Sequence, residues 1–102
     1  LPFVGAYSAT KAALIQVTKS QSIELARYNI TVNALAPGYI LTDINRDQLE
    51  GKVGDILKKK IPLKRFASVD ELSPIISMLL NRDNNYMTGA VIAVDGGLST
   101  GL

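Results

Sequence analysis

Apolar-rich stretches alternate with short polar, proline or glycine punctuation, and the alternation predicts five elements. From Ala6 to Arg27 the chain has no proline or glycine and is rich in Ala, Leu, Ile, Lys and Gln. That composition predicts one long helix. Its small residues Ser8, Ala9, Ala12 and Ala13 let other elements approach closely. Arg27 suits the last turn, where a cation meets the negative end of the helix dipole, and Asn29 fits a left-handed stop. Ile30 to Ala36 reads as a strand ended by Pro37-Gly38. Tyr39 to Arg65 is mixed, and loop with short helices is expected, broken near Gly51, Gly54 and Pro62. Ser68-Val69-Asp70-Glu71 has capping-box spacing, so a helix is expected to follow it to about Leu80, with Pro74 past the first turn as a kink. After a polar loop at residues 81–85, Gly89 introduces the wholly apolar run Ala90 to Val94, which Asp95-Gly96-Gly97 ends. A run without alternation suits a strand covered on both faces.

The order is therefore helix, strand, variable lobe, helix, strand. Two strands joined through a helix are most simply parallel, with a right-handed crossover. The fold class read from this order is α/β, part of a doubly wound, Rossmann-like parallel sheet.

Bulk properties narrow the function. The chain has 102 residues, a size for one small domain or part of one. It is 47% hydrophobic and 20% charged, which marks a folded rather than a disordered chain. A net charge of +2 is too weak to argue for nucleic acid. Without cysteine there are no disulfides or thiolate metal sites, and without histidine the commonest general base and metal ligand is missing, so no metal is expected. No apolar run reaches the roughly 18 residues of a membrane helix. A cytoplasmic protein without membrane or nucleic-acid partners is the expectation.

Tyr7 and Lys11 are four apart on the first predicted helix, so they share a face. A free phenol, with a pKa near 10, is a poor base at neutral pH. A nearby ammonium favours the phenolate, and a phenol so tuned can exchange a proton with a carbonyl oxygen while hydride moves at carbon. The spacing alone equally fits an aromatic ring shielding a surface lysine.

The surrounding residues go further. Ala6-Tyr7-Ser8-Ala9-Thr10-Lys11-Ala12-Ala13-Leu14 closely resembles the active-site helix of the short-chain dehydrogenase/reductase family. Three more segments resemble that family in its own order. Asn29 to Gly38 looks like its sixth strand and turn, and Pro62-Leu63-Lys64-Arg65-Phe66 with Asp70-Glu71-Leu72 looks like the entry to its last large helix. Thr88 to Gly97 looks like its seventh strand and tail. The resemblance covers essentially the whole chain. It implies that residues 1–102 are the C-terminal half of a Rossmann-like domain, with a substrate-binding lobe at 39–67.

By this resemblance Tyr7 is the catalytic acid/base, and Lys11 supports its ionisation and binds the nicotinamide ribose of NAD or NADP. Pro37 and Gly38 border the nicotinamide from the carboxyl end of the strand, with a plain turn as the alternative. The Ile40 backbone meets the carboxamide, and the Thr42 hydroxyl holds the carboxamide or a phosphate, with a helix cap before Asp43 as the alternative. Asn33 is read as structural, bonding neighbouring backbone. Tyr39 fits a substrate contact or an aromatic packed on the turn. Lys58-Lys59-Lys60 reads as a solvated helix face before it reads as a seat for an anionic substrate.

The family's glycine-rich turn for the pyrophosphate is not found in these residues, nor is its catalytic serine. Gly51 and Gly54 follow no strand. The expectation is a piece of a longer enzyme interconverting an alcohol and a ketone, resembling 3-oxoacyl-carrier-protein reductases and sugar or polyol dehydrogenases. The resemblance also implies a homodimer or homotetramer. The competing expectation is a chain without catalysis of its own, persisting as an interaction or oligomerisation piece.

Overall fold

Helix α1, Val4–Leu25, realises the long helix. The computed structural model describes residues 4–100, with side chains from residue 9 on within α1. The helix tightens into a 3-10 turn at Ala26–Tyr28, and Asn29 stops it in the left-handed region at φ 60°, ψ 33°. The Asn29 amide donates to the Ala26 carbonyl, which supplies one of the partners that a helix end leaves missing. Thr18 and Ser22 are buried in α1, and each hydroxyl donates to a carbonyl of the preceding turn, that of Leu14 and that of Lys19. This satisfies polar groups that burial would otherwise penalise.

Strand β1, Ala34–Pro37, is shorter than the strand expected from Ile30, and β4, Val91–Val94, starts one residue late. The two strands pair in one sheet. The Ala34 amide donates to the Ala90 carbonyl and the Gly38 amide to the Val94 carbonyl, so both strands advance together and the pair is parallel, as expected. Strand geometry does not begin at Ile30 because side chains replace the ladder there. The Val32 amide donates to the Thr88 hydroxyl, while the Asn33 carboxamide donates to the Met87 carbonyl and accepts from the Ala90 amide. Asn33 is thus the backbone staple anticipated for it.

The lobe after β1 holds more order than foreseen. Strand β2, Ile40–Leu41, and strand β3, Ala67–Ser68, form a second parallel pair in the register Ile40 to Ala67 and Leu41 to Ser68. Helices α2, Arg46–Leu49, and α3, Lys52–Lys60, lie between them. The break expected at Gly54 is absent. Gly54 sits inside α3, buried, because a Cβ there would fall on the Leu49 carbonyl. Gly51 caps α3 and Pro62 follows it, as expected. Leu49 and Ile61 are buried in this lobe, Ile61 with 2% of its surface exposed.

The capping box forms, but on a 3-10 turn, Val69–Glu71. Helix α4, Ser73–Leu80, begins after it, so Pro74 falls in its first turn and does not kink it. The chain folds as two units, one from the chain up to Ala34 with Arg82–Ile92, the other from Leu35–Asn81 with the chain from Ala93 on. Among the described residues no helix is long and apolar enough to cross a membrane.

Candidate active site

The candidate residues fall in both units. Tyr7 and Lys11 lie on α1. The Tyr7 side chain lies outside the described residues; Lys11 is exposed. Pro37, Gly38, Ile40 and Thr42 belong to the other unit and are brought together by the end of β1 and by β2.

Gly38 has a structural reason of its own. Its amide is held by the Val94 carbonyl at 3.0 Å, and a Cβ at this position would lie 2.7 Å from the Asp95 Cβ and 2.8 Å from its Cα. Real Cβ atoms do not approach so closely, so the end of β4 demands glycine here. Asp95 itself is fixed. Its carboxylate accepts from the Gly97 amide at 2.9 Å and the Ser99 amide at 3.1 Å, and the Ser99 side chain first, with these amides after it, holds its pKa below the ordinary carboxylate value against some desolvation. Gly96 and Gly97 follow at φ 65° and 91°, the left-handed region that suits glycine.

Ile40 and Thr42 are held by a residue that the sequence pattern did not single out. The Asn45 carboxamide accepts from the Thr42 amide at 2.7 Å and donates to the Ile40 carbonyl at 2.9 Å. The Thr42 amide is therefore occupied, and a ligand would meet its hydroxyl. The helix-cap alternative for Thr42 does not hold, since α2 starts at Arg46 and Asn45 occupies the cap position. An Asn four residues after a strand, just before a helix, looks like an ordinary helix cap in sequence; only the backward reach of its side chain sets it apart.

Tyr39 packs edge to face on Phe66, ring centroids 5.9 Å apart, and Lys58 sits 5.2 Å above the Phe66 ring. The aromatic-packing reading of Tyr39 thus has a named partner. Tyr39 also lines a hollow of about 110 Å³ with Ile61, Leu63 and Val94, closed on its polar side by Arg65, Glu71 and Asp95. Arg65 grips Glu71 through both terminal guanidinium nitrogens at 2.6 and 2.9 Å, and the Ser68 amide adds a third bond at 2.8 Å.

Residues 1–99 match the family model described as enoyl-(acyl carrier protein) reductase. The 3-oxoacyl-[acyl-carrier-protein] reductase FabG of Thermotoga maritima is 42% identical over 92 residues, 90% of this chain and 37% of that protein. Among solved structures, YwfH, an NADPH dependent reductase involved in bacilysin biosynthesis, is 38% identical with a TM-score of 0.80, covering 89% of this chain and 38% of the other. A 4-hydroxyisoleucine dehydrogenase complexed with NADH is 29% identical with a TM-score of 0.87, covering 96% and 41%. The chain belongs to the short-chain dehydrogenase/reductase family. It spans well under half the length of the curated relatives it matches, 37% in the case of the Thermotoga protein.

Proposed function

We propose that these residues serve an NAD(P)-dependent oxidoreductase that interconverts an alcohol and a ketone, contributing its acid/base pair and the nicotinamide end of its pocket. The observation that carries this reading is family membership over nearly the whole chain, combined with a tyrosine and a lysine four apart within α1. Residues at that spacing lie on one helix face, near enough for an ammonium to stabilise a phenolate.

Tyr7 exchanges the proton of the substrate oxygen, and Lys11 keeps Tyr7 competent to do so and binds the nicotinamide ribose. The nucleotide supplies or accepts hydride when bound. The segment 37–42 suits its nicotinamide end. Pro37-Gly38 lies at the carboxyl end of β1, where open α/β sheets take ligands. Ile40, in β2, and Thr42, just after it, follow with backbone groups already bonded by the Asn45 side chain. One similar protein is an NADPH dependent reductase and another is complexed with NADH, so either nucleotide fits this reading.

Replacing Tyr7 by Phe in the native protein that carries these residues is the test. Turnover is expected to fall by at least about a hundredfold, the usual share of a general acid/base, while nucleotide binding survives. Unchanged turnover would refute the role of Tyr7.

A further inference from the structure

Asn45 does something unusual for its position. It precedes α2, and its own carbonyl takes the Leu49 amide, the ordinary start of a helix. An asparagine there normally turns its side chain onto the free amides of the first helical turn. Here no such cap bond forms. The side chain reaches back instead and bridges Ile40 of β2 and Thr42 just after it with two bonds, one accepted and one donated. The other side of that segment is tied to β3, since the Ala67 amide donates to the Tyr39 carbonyl at 3.1 Å. The side chain that would cap the helix instead fixes β2 and the residue after it, Thr42.

We propose that Asn45 is a positioning residue for the carboxamide of a nicotinamide ring, holding the Ile40 carbonyl and the Thr42 hydroxyl in the spacing an amide ligand needs. The inference rests on the proposed nucleotide-binding reading of Ile40 and Thr42. A carboxamide presents donors and an acceptor side by side. The Ile40 carbonyl has a second lone pair beyond the one that Asn45 uses, and the Thr42 hydroxyl can donate. Occupying the Thr42 amide leaves that hydroxyl as the donor on offer. Asn45 acts through these two residues and touches no ligand itself.

The experiment compares two ligands on the native protein: the reduced nicotinamide nucleotide it takes, and the matching ADP-ribose or 2′-phospho-ADP-ribose, which lacks the nicotinamide. Asn45→Ala is expected to weaken the nicotinamide nucleotide about tenfold, the worth of one or two hydrogen bonds, and the ring-less ligand less than twofold. Should the alanine variant not fold, Asn45→Asp is read the same way, because it keeps the acceptor for Thr42 and loses the donor to Ile40. Equal weakening of both ligands, or of neither, overturns the inference. Thr42→Val separates the two levels. If it weakens the nicotinamide nucleotide where Asn45→Ala does not, only the role of Asn45 fails. If the unaltered protein binds neither nucleotide, the nucleotide reading itself falls, and this inference with it.

Discussion

Arg65 and Glu71 form a two-pronged ion pair, at 2.6 and 2.9 Å, that ties the chain entering β3 to the turn leaving it. The guanidinium bonds first, and the Ser68 amide second, hold the Glu71 carboxyl at about 2, below its ordinary 4.5, although slight desolvation pushes the other way. A carboxylate whose folded pKa is depressed contributes stability above its unfolded pKa. That contribution is lost as pH falls from about 4.5 towards about 2. Asp95 is shifted in the same direction and adds to the same acid limb. Glu71→Gln should therefore flatten the slope of stability against pH between about 5 and 2, by at most one proton's worth. Urea unfolding of both proteins across that range checks it. Identical slopes would show that the pair does not stabilise the fold in solution.

Gly54 inverts the usual rule for a glycine inside a helix. Propensity alone favours alanine there by about 1 kcal/mol. In α3 an added Cβ would fall on the Leu49 carbonyl, which is backbone and cannot swing aside. Overpacking of this kind costs about 1–3 kcal/mol or more, so the clash wins. Gly54→Ala is expected to destabilise the protein by about 2 kcal/mol. A gain in the denaturation midpoint would mean that α2 and α3 part easily.

How far such features can be read in advance depends on their range. The α1 helix, its Asn29 stop and the capping box at Ser68 are local, carried by composition or by residues three or four apart, and they form as the pattern implies. The β1–β4 pairing follows from chain order. The β2–β3 pair does not, because two-residue strands have no period to detect. Gly54 looked like a breaker because glycine's close approach to Leu49 depends on packing rather than sequence spacing. For the candidate site, Tyr7, Lys11, Ile40 and Thr42 are assigned by resemblance alone. Asn45 was hidden because its identity fits a helix cap and its actual bonds run the other way.

Asn33 takes over where β1 has not yet begun. Its carboxamide serves both the Met87 carbonyl and the Ala90 amide, at 3.1 and 3.0 Å. Asn33→Ala strands both groups in a partly buried place, at a cost of about 1–3 kcal/mol. Asn33→Asp keeps the bond to Ala90 but turns a carboxylate oxygen towards the Met87 carbonyl, so it should not restore stability. Amide hydrogen exchange at Ala90 reports the difference directly. Faster exchange than in the parent is expected in the alanine variant, and exchange slower than the alanine variant's in the aspartate variant. Unchanged protection of Ala90 in the alanine variant would show that the staple is dispensable.

Lys64 sits at φ 59°, in the turn after α3, where its amide donates to the Ile61 carbonyl and its ammonium caps the Lys59 carbonyl at 2.5 Å. A β-branched residue in that conformation carries a steric cost of about 1–2 kcal/mol, which glycine escapes. Lys64→Val should lie below Lys64→Gly in stability by about that amount.

Thr42 offers the sharpest functional prediction, because its two polar handles can be separated. Its amide is spent on Asn45, so a change confined to the side chain leaves the turn intact. Thr42→Val keeps the shape and removes only the hydroxyl. If that hydroxyl holds the nicotinamide carboxamide, nucleotide affinity should fall about three- to tenfold, the worth of one hydrogen bond of about 1 kcal/mol, with the denaturation midpoint nearly unchanged. Thr42→Ser, which retains the hydroxyl, should bind as the parent does. A valine variant with parental affinity would move the carboxamide contact off Thr42, and one that loses stability along with affinity would mark the hydroxyl as part of the fold.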